Sequence, residues 1–67
     1  MATLCYKKLW KLLIDRNMKK GDLRNSANIS QTTMAKLSNN QNVTAETLAR
    51  ICVALECELT DIADVMN

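Results

Sequence analysis

The stretch Leu23-Arg24-Asn25-Ser26-Ala27-Asn28-Ile29-Ser30-Gln31-Thr32-Thr33-Met34-Ala35-Lys36-Leu37 decides how this chain folds. A short helical pattern carries Leu23 and Ala27 on one face and stops at Asn28, a residue type that tolerates positive φ better than any other except glycine. Ile29 follows as an apolar plug. Ser30 then offers a side-chain oxygen to the free N–H groups of a second helix opening at Gln31. Two short helices joined by a tight turn are therefore expected here. In the second, Met34 and Leu37 turn inward at i, i+3, while Thr32, Lys36 and Asn39 lie on the opposite face, flanked by Ala35, with Gln31 projecting from the tip.

Outward from this stretch the chain reads as helix. It has 67 residues with no proline and one glycine, and Leu, Ala, Met, Lys and Glu are all good helix formers. A first helix is expected from about Leu4 to Arg16, with Leu9, Leu12 and Leu13 on one face and Cys5 and Tyr6 a turn earlier. Trp10 and Ile14 widen that stripe and need a second partner, either the C-terminal helix or another subunit. Asn17 suits a left-handed helix exit. The second helix runs from about Lys20 to Ala27 and the third from Gln31 to Ser38. After the polar break Asn39-Asn40-Gln41-Asn42, Thr44 caps a fourth helix whose Leu48, Ile51, Cys52 and Leu55 follow i, i+3, i+4, i+7. A fifth helix is expected from near Thr60, offering Ile62, Ala63, Val65 and Met66. Strands find no support, because β-branched residues do not cluster with period two. The expected fold is all-α: one domain, residues 1–67, a five-helix bundle with the tight turn between helices 2 and 3.

These features resemble the phage repressor and Cro type of helix-turn-helix transcriptional regulators, over roughly Leu9 to Val65. The matching residues are Met18-Lys19-Lys20, Leu23, Ala27, the turn Asn28-Ile29-Ser30 and Gln31-Thr32-Thr33-Met34. Beyond the motif they are Val43-Thr44-Ala45-Glu46-Thr47-Leu48 and Ala54-Leu55-Glu56-Cys57. Trp10, Cys52 and Cys57 are similar to features of a compact single-domain subgroup. The chain departs from the usual pattern at Lys20 (commonly Gln), at Arg24 (commonly a small residue), and at Asn28 and Asn40 (commonly Gly).

The resemblance implies sequence-specific binding of double-stranded DNA, with the helix around 31–38 in the major groove, and a regulator acting as a repressor. It places base reading at Gln31, Thr32 and Lys36. Chemistry agrees with those positions: Gln pairs bidentately with adenine, Lys reaches guanine O6 and N7, and Thr meets a thymine methyl or a polar base edge. Lys20 stands where the family's Gln binds phosphate. Lys19, Ser30, Thr33, Asn39 and Asn42, with the helix-start N–H groups, are the further phosphate candidates. Relatives pair through a two-fold axis, so a homodimer is expected, its candidate surface being Val65 and Met66 with Trp10 or Ile14.

Charge supports a nucleic-acid partner. Residues 1–41 hold eight Lys and Arg against Asp15 and Asp22, a net +6, whereas residues 42–67 hold Arg50 against five acids, a net −4. The basic half also holds the helix-turn-helix pattern.

Other classes find less material. There is no His, no glycine-rich phosphate loop, and Asp61 and Asp64 read as a solvated face, so no enzyme and no cofactor are expected. Cys5, Cys52 and Cys57 are too few and too irregularly spaced for a metal site, and Cys52 and Cys57 fall where apolar packing is expected. No small-molecule ligand is evident. No apolar run approaches a membrane span, and Met1-Ala2-Thr3-Leu4-Cys5 lacks a signal peptide's apolar segment, so a cytoplasmic protein is expected. Two alternatives stay open: an antitoxin-like or other protein-interaction module on the same fold, and a thiol-based redox or metal switch. The expected core is Leu9, Leu12, Leu23, Ala27, Met34, Leu37, Leu48, Ile51, Cys52, Leu55 and Ile62.

Overall fold

Four helices form the body, and a small strand pair closes it where the chain ends meet. The structure, a computed structural model, describes residues 2–66. In chain order come β1 (Thr3–Cys5), α1 (Lys7–Asp15), α2 (Lys20–Ala27), α3 (Gln31–Ser38), α4 (Ala45–Leu55), a 3-10 turn (Leu59–Asp61) and β2 (Asp64–Met66). The strands pair antiparallel, with Thr3 opposite Met66, Leu4 opposite Val65 and Cys5 opposite Asp64.

The helix starts follow their capping residues. Ser30 Oγ accepts from the Thr33 N–H at 3.1 Å and lies 2.9 Å from the Thr33 hydroxyl. Thr44 repeats the device, accepting from the Thr47 N–H at 3.2 Å with the two hydroxyls 3.0 Å apart. At α2 the Asp22 carboxylate accepts from the Lys19 N–H at 3.0 Å, which also places a negative charge at a helix N-terminus.

All four helices end on a left-handed residue: Asn17, Asn28, Asn40 and Glu56, with φ of 58°, 55°, 54° and 52°. Behind each, the next residue's N–H reaches back to a last-turn carbonyl: Met18 to Leu13, Ile29 to Arg24, Gln41 to Lys36 and Cys57 to Cys52, at 2.8–3.1 Å. This is the closure that satisfies orphan carbonyls at helix ends. Asparagine supplies three of the four turns where glycine would be the cheapest residue.

The core is Tyr6, Leu9, Leu13, Leu23, Ala27, Ile29, Met34, Leu37, Leu48, Ile51, Leu55 and Ile62. Leu12 and Cys52, expected inside, are half-buried at its rim, together with Trp10. Tyr6 is sealed in: its hydroxyl donates to the Gln41 carbonyl at 3.1 Å, and its N–H donates to Asn40 Oδ1 at 3.2 Å. The α3–α4 loop is thereby docked on the start of α1.

Three expectations are corrected. Helix 1 begins at Lys7 rather than Leu4, because Thr3–Cys5 is extended and paired with β2. Among the described residues the bundle has four α-helices, not five. After Glu58, whose N–H is capped by Asp61 Oδ2 at 2.9 Å, one 3-10 turn forms and the chain then runs out as β2. Strands do occur, contrary to the reading of the sequence. Lys8 holds this end in place, reaching Asp64 at 2.9 Å and donating to the Thr60 carbonyl at 3.1 Å. Fully buried Ile62 anchors the crossing. Val65 and Met66 therefore sit on an exposed strand rather than on a helix face.

Candidate nucleic-acid interface

The turn between α2 and α3 is rigid for reasons visible in its residues. Asn28 takes the left-handed conformation, Ile29 is buried beneath it, and the Arg50 guanidinium of α4 donates to the Asn28 carbonyl at 3.3 Å. Arg50 is itself held by Glu46 one turn earlier, at 2.9 Å. The angle between α2 and α3 is thus fixed from inside by an apolar plug and from behind by a charged staple. Sequence reading missed Arg50, although its spacing from Glu46 was a visible i, i+4 pair.

With that angle fixed, α3 presents Gln31, Thr32, Lys36 and Asn39 as exposed side chains, while Met34 and Leu37 are buried. Eight residues of helix span about 12 Å, close to the width of the B-DNA major groove. Lys19, Lys20 and Ser30 are also exposed, near the N-termini of α2 and α3. Thr33 is half-buried, its hydroxyl against Ser30, so both of these phosphate candidates are already engaged in the α3 cap. Asn42 is exposed but lines a shallow pocket with Thr3, Leu4 and Val65, next to the strand pair.

Two basic side chains of α2, one turn apart, reach across to α3. Lys20 Nζ donates to Ser38 Oγ at 3.0 Å and lies 4.4 Å from the centre of the Trp10 ring. Arg24 Nη1 donates to Gln31 Oε1 at 3.0 Å. Neither Ser38 nor Arg24 stood out in the sequence as a functional residue. The available signal was the i, i+4 spacing of Lys20 and Arg24, which sets both on one face of α2.

Electrostatics separate this face from the rest. The ion pairs among the described residues are Lys8–Asp64 and Arg50–Glu46, neither of which includes a residue of α3. Lys19, Lys20, Arg24 and Lys36 enter neither, so those carboxylates do not neutralise their charge, although Lys20 and Arg24 are hydrogen-bonded to α3.

The thiols have a different character. Cys5, Cys52 and Cys57 are free and half-buried. Burial, reinforced by the neighbouring Cys52, raises the Cys57 thiol above its ordinary range, which lowers its thiolate content at neutral pH. Among the described residues no group of three His, Cys, Asp or Glu side chains is arranged to hold a metal ion. No helix there is long and apolar enough to cross a membrane.

Residues 8–66 match the Cro/C1-type HTH DNA-binding domain. The chain belongs to this family. Among solved structures it is similar to the crystal structure of transcriptional regulator VanUg, form II. The two share 48% identity and a TM-score of 0.94, over 97% of this chain and 87% of that one. No curated protein matches. Family membership makes the helix-turn-helix of α2 and α3 part of a DNA-binding domain, and it agrees with the predominantly helical fold and the uncompensated basic face.

Proposed function

We propose that this Cro/C1-type domain binds specific double-stranded DNA sequences with α3 in the major groove, and that it regulates transcription as a repressor by occupying promoter DNA. One observation supports the reading: Gln31, Thr32 and Lys36 are exposed on α3, and Lys19 and Lys20 at the start of α2 enter neither ion pair of the described residues. In this arrangement Lys36 reads guanine and Thr32 meets a thymine methyl or polar edge. Lys19, Lys20, Ser30, Thr33, Asn39 and Asn42 serve the backbone, which carries most of the affinity and none of the sequence information.

The working unit we propose is a homodimer. One short recognition helix covers only a few base pairs, and paired helices about 34 Å apart read successive turns of DNA. Val65 is 76% exposed, Met66 48% and Ile14 75%. These apolar side chains supply material for a two-fold contact, to which half-buried Trp10 adds less. The same residues would serve the alternative of a protein-interaction module.

Selection of bound duplexes from a random library, followed by titration of the best site, tests the reading. Lys36→Ala should weaken the best site by about 1–3 kcal/mol and relax one base position. Enrichment of palindromic sites with a two-to-one complex supports the dimer. A strict one-to-one complex on a single half-site rejects it. Absence of any enriched sequence rejects specific DNA binding.

A further inference from the structure

The bond between Arg24 and Gln31 has a consequence for which base Gln31 reads. A guanidinium carries only donors, so the atom that accepts from Arg24 Nη1 at 3.0 Å must be the amide oxygen of Gln31 and not its nitrogen. The orientation of that amide is thereby chosen. An unrestrained Gln recognises adenine with both ends at once, its oxygen accepting from N6 and its nitrogen donating to N7. Here one of the two lone pairs of that oxygen is committed to a cation on α2, and the amide N–H groups remain as the free donors of Gln31. A nearby guanidinium also disfavours the adenine N6 amino group, which presents another donor with partial positive charge. Guanine offers acceptors alone at O6 and N7, a match for a donor-only pair.

The surroundings make the contact a built one. Arg24 and Lys20 lie one turn apart on α2, and both bridge to α3 over a groove floored by Gly21, Met34 and Ala35. Beyond its chain neighbours and its own helix backbone, no atom lies within 4 Å of the place where a Gly21 side chain would begin, so that part of the groove is open. Arg24 is half-buried, which limits its other conformations.

We propose that Arg24 is a positioning residue for specificity: by holding the Gln31 oxygen, it turns Gln31 from an adenine reader into a reader of guanine. The proposal rests on the DNA-binding role of α3 proposed above.

Affinities of the wild type, Arg24→Met, Arg24→Lys, Gln31→Ala and the double variant Arg24→Met/Gln31→Ala would be measured on the selected duplex. All four base pairs would be placed in turn at the position that Gln31→Ala relaxes. Arg24→Met should shift the guanine-to-adenine affinity ratio there by about tenfold toward adenine and leave other positions unchanged. Arg24→Lys, which keeps a cationic donor, should retain more of the guanine preference than Arg24→Met. In the Gln31→Ala background, Arg24→Met should no longer alter that position. Uniform weakening on every duplex with a shallower salt dependence would make Arg24 a phosphate contact and overturn the proposal. Uniform weakening with a lowered melting temperature would make it a structural bridge and overturn it equally. A wild type with no base preference at any position would instead remove the DNA reading, and this proposal with it.

Discussion

Lys20 and Trp10 are stacked: the ammonium of the first residue of α2 lies 4.4 Å from the centre of the indole ring on α1, while it donates to Ser38 on α3. A cation over an aromatic face gains about 0.5–1 kcal/mol at an exposed site. Three helices thus converge on one charge, at the place proposed for a phosphate contact. The indole is also half-buried, so it serves packing and charge placement together.

Trp10→Leu should therefore reduce affinity for all duplexes by roughly the cation–π contribution, about 0.5–1 kcal/mol, with base preference intact. Trp10→Phe, which keeps a ring face, should recover part of it. Lys20→Ala should weaken every sequence alike and lower the salt slope by about one unit. Trp10 is the single tryptophan in the chain, so its fluorescence should respond to Lys20→Ala without DNA. Equal binding by wild type and Trp10→Leu would show that the stacking has no part in placing Lys20.

Core and rim of α4 should separate cleanly. Ile51 has no exposed surface, whereas Cys52 beside it is half-buried. Ile51→Ala leaves a cavity in the buried cluster and should cost about 2–5 kcal/mol. A domain of this size holds on the order of 5 kcal/mol in total, so that variant should be largely unfolded at 37 °C. Cys52→Ala should cost about 1 kcal/mol or less. Thermal melting followed by circular dichroism measures both, and comparable losses would contradict the packing of this helix.

Local grammar made the helices and the turn legible. Asn28, Ile29 and Ser30 are contiguous, and so their roles as left-handed stop, plug and cap can be read directly. Leu48, Ile51 and Leu55 repeat at helical spacing. The strand pair was hidden because three-residue strands are too short to show period-two alternation, and because Thr3 and Met66 meet from opposite ends of the chain. Ile62, Val65 and Met66 also fit a helical face. The strand pairing and the anchoring of Asp64 by Lys8 settle the matter, and a local pattern contains neither. At the candidate interface, exposed positions on α3 followed from periodicity. The Arg24–Gln31 and Lys20–Ser38 bridges depend on the angle between two helices and on side-chain reach, which spacing alone does not specify.

Two backbone positions call for opposite substitutions. Glu56 closes α4 at φ 52°, where a side chain other than Asn costs about 1–2 kcal/mol. Gly21 lies inside α2 with open space around its missing Cβ. Glu56→Gly should relieve the first strain and Gly21→Ala should restrict the unfolded chain, each stabilising by about 0.5–1 kcal/mol. The sites are on different helices and should add. Urea midpoints measure the gains, and a destabilised Glu56→Gly would mean that the Glu56 side chain contributes more than its backbone strain costs.

Alkaline pH should weaken the fold through Tyr6. Its ring is fully buried and its hydroxyl donates to the Gln41 carbonyl, so ionisation would bury a phenolate and remove the donor. Burial accordingly raises the Tyr6 pKa. Between the ordinary tyrosine value, about 10, and the raised folded value, the native chain keeps a proton that the unfolded chain has released. Native protein then binds more protons than unfolded protein, and stability falls as pH rises. The contribution is whole below about pH 10 and disappears as pH climbs through the folded value. Cys57, also raised, acts with the same sign from its own ordinary value of 9.0 upward. Tyr6→Phe should cost about 0.5–1.5 kcal/mol at neutral pH by losing the hydrogen bond. It should also flatten the decline above pH 10, so the gap between variant and wild type narrows as the solution becomes alkaline. Urea titrations at several pH values from 7 to about 11 follow that gap directly. A constant gap across the range would show that the Tyr6 proton does not contribute to alkaline unfolding.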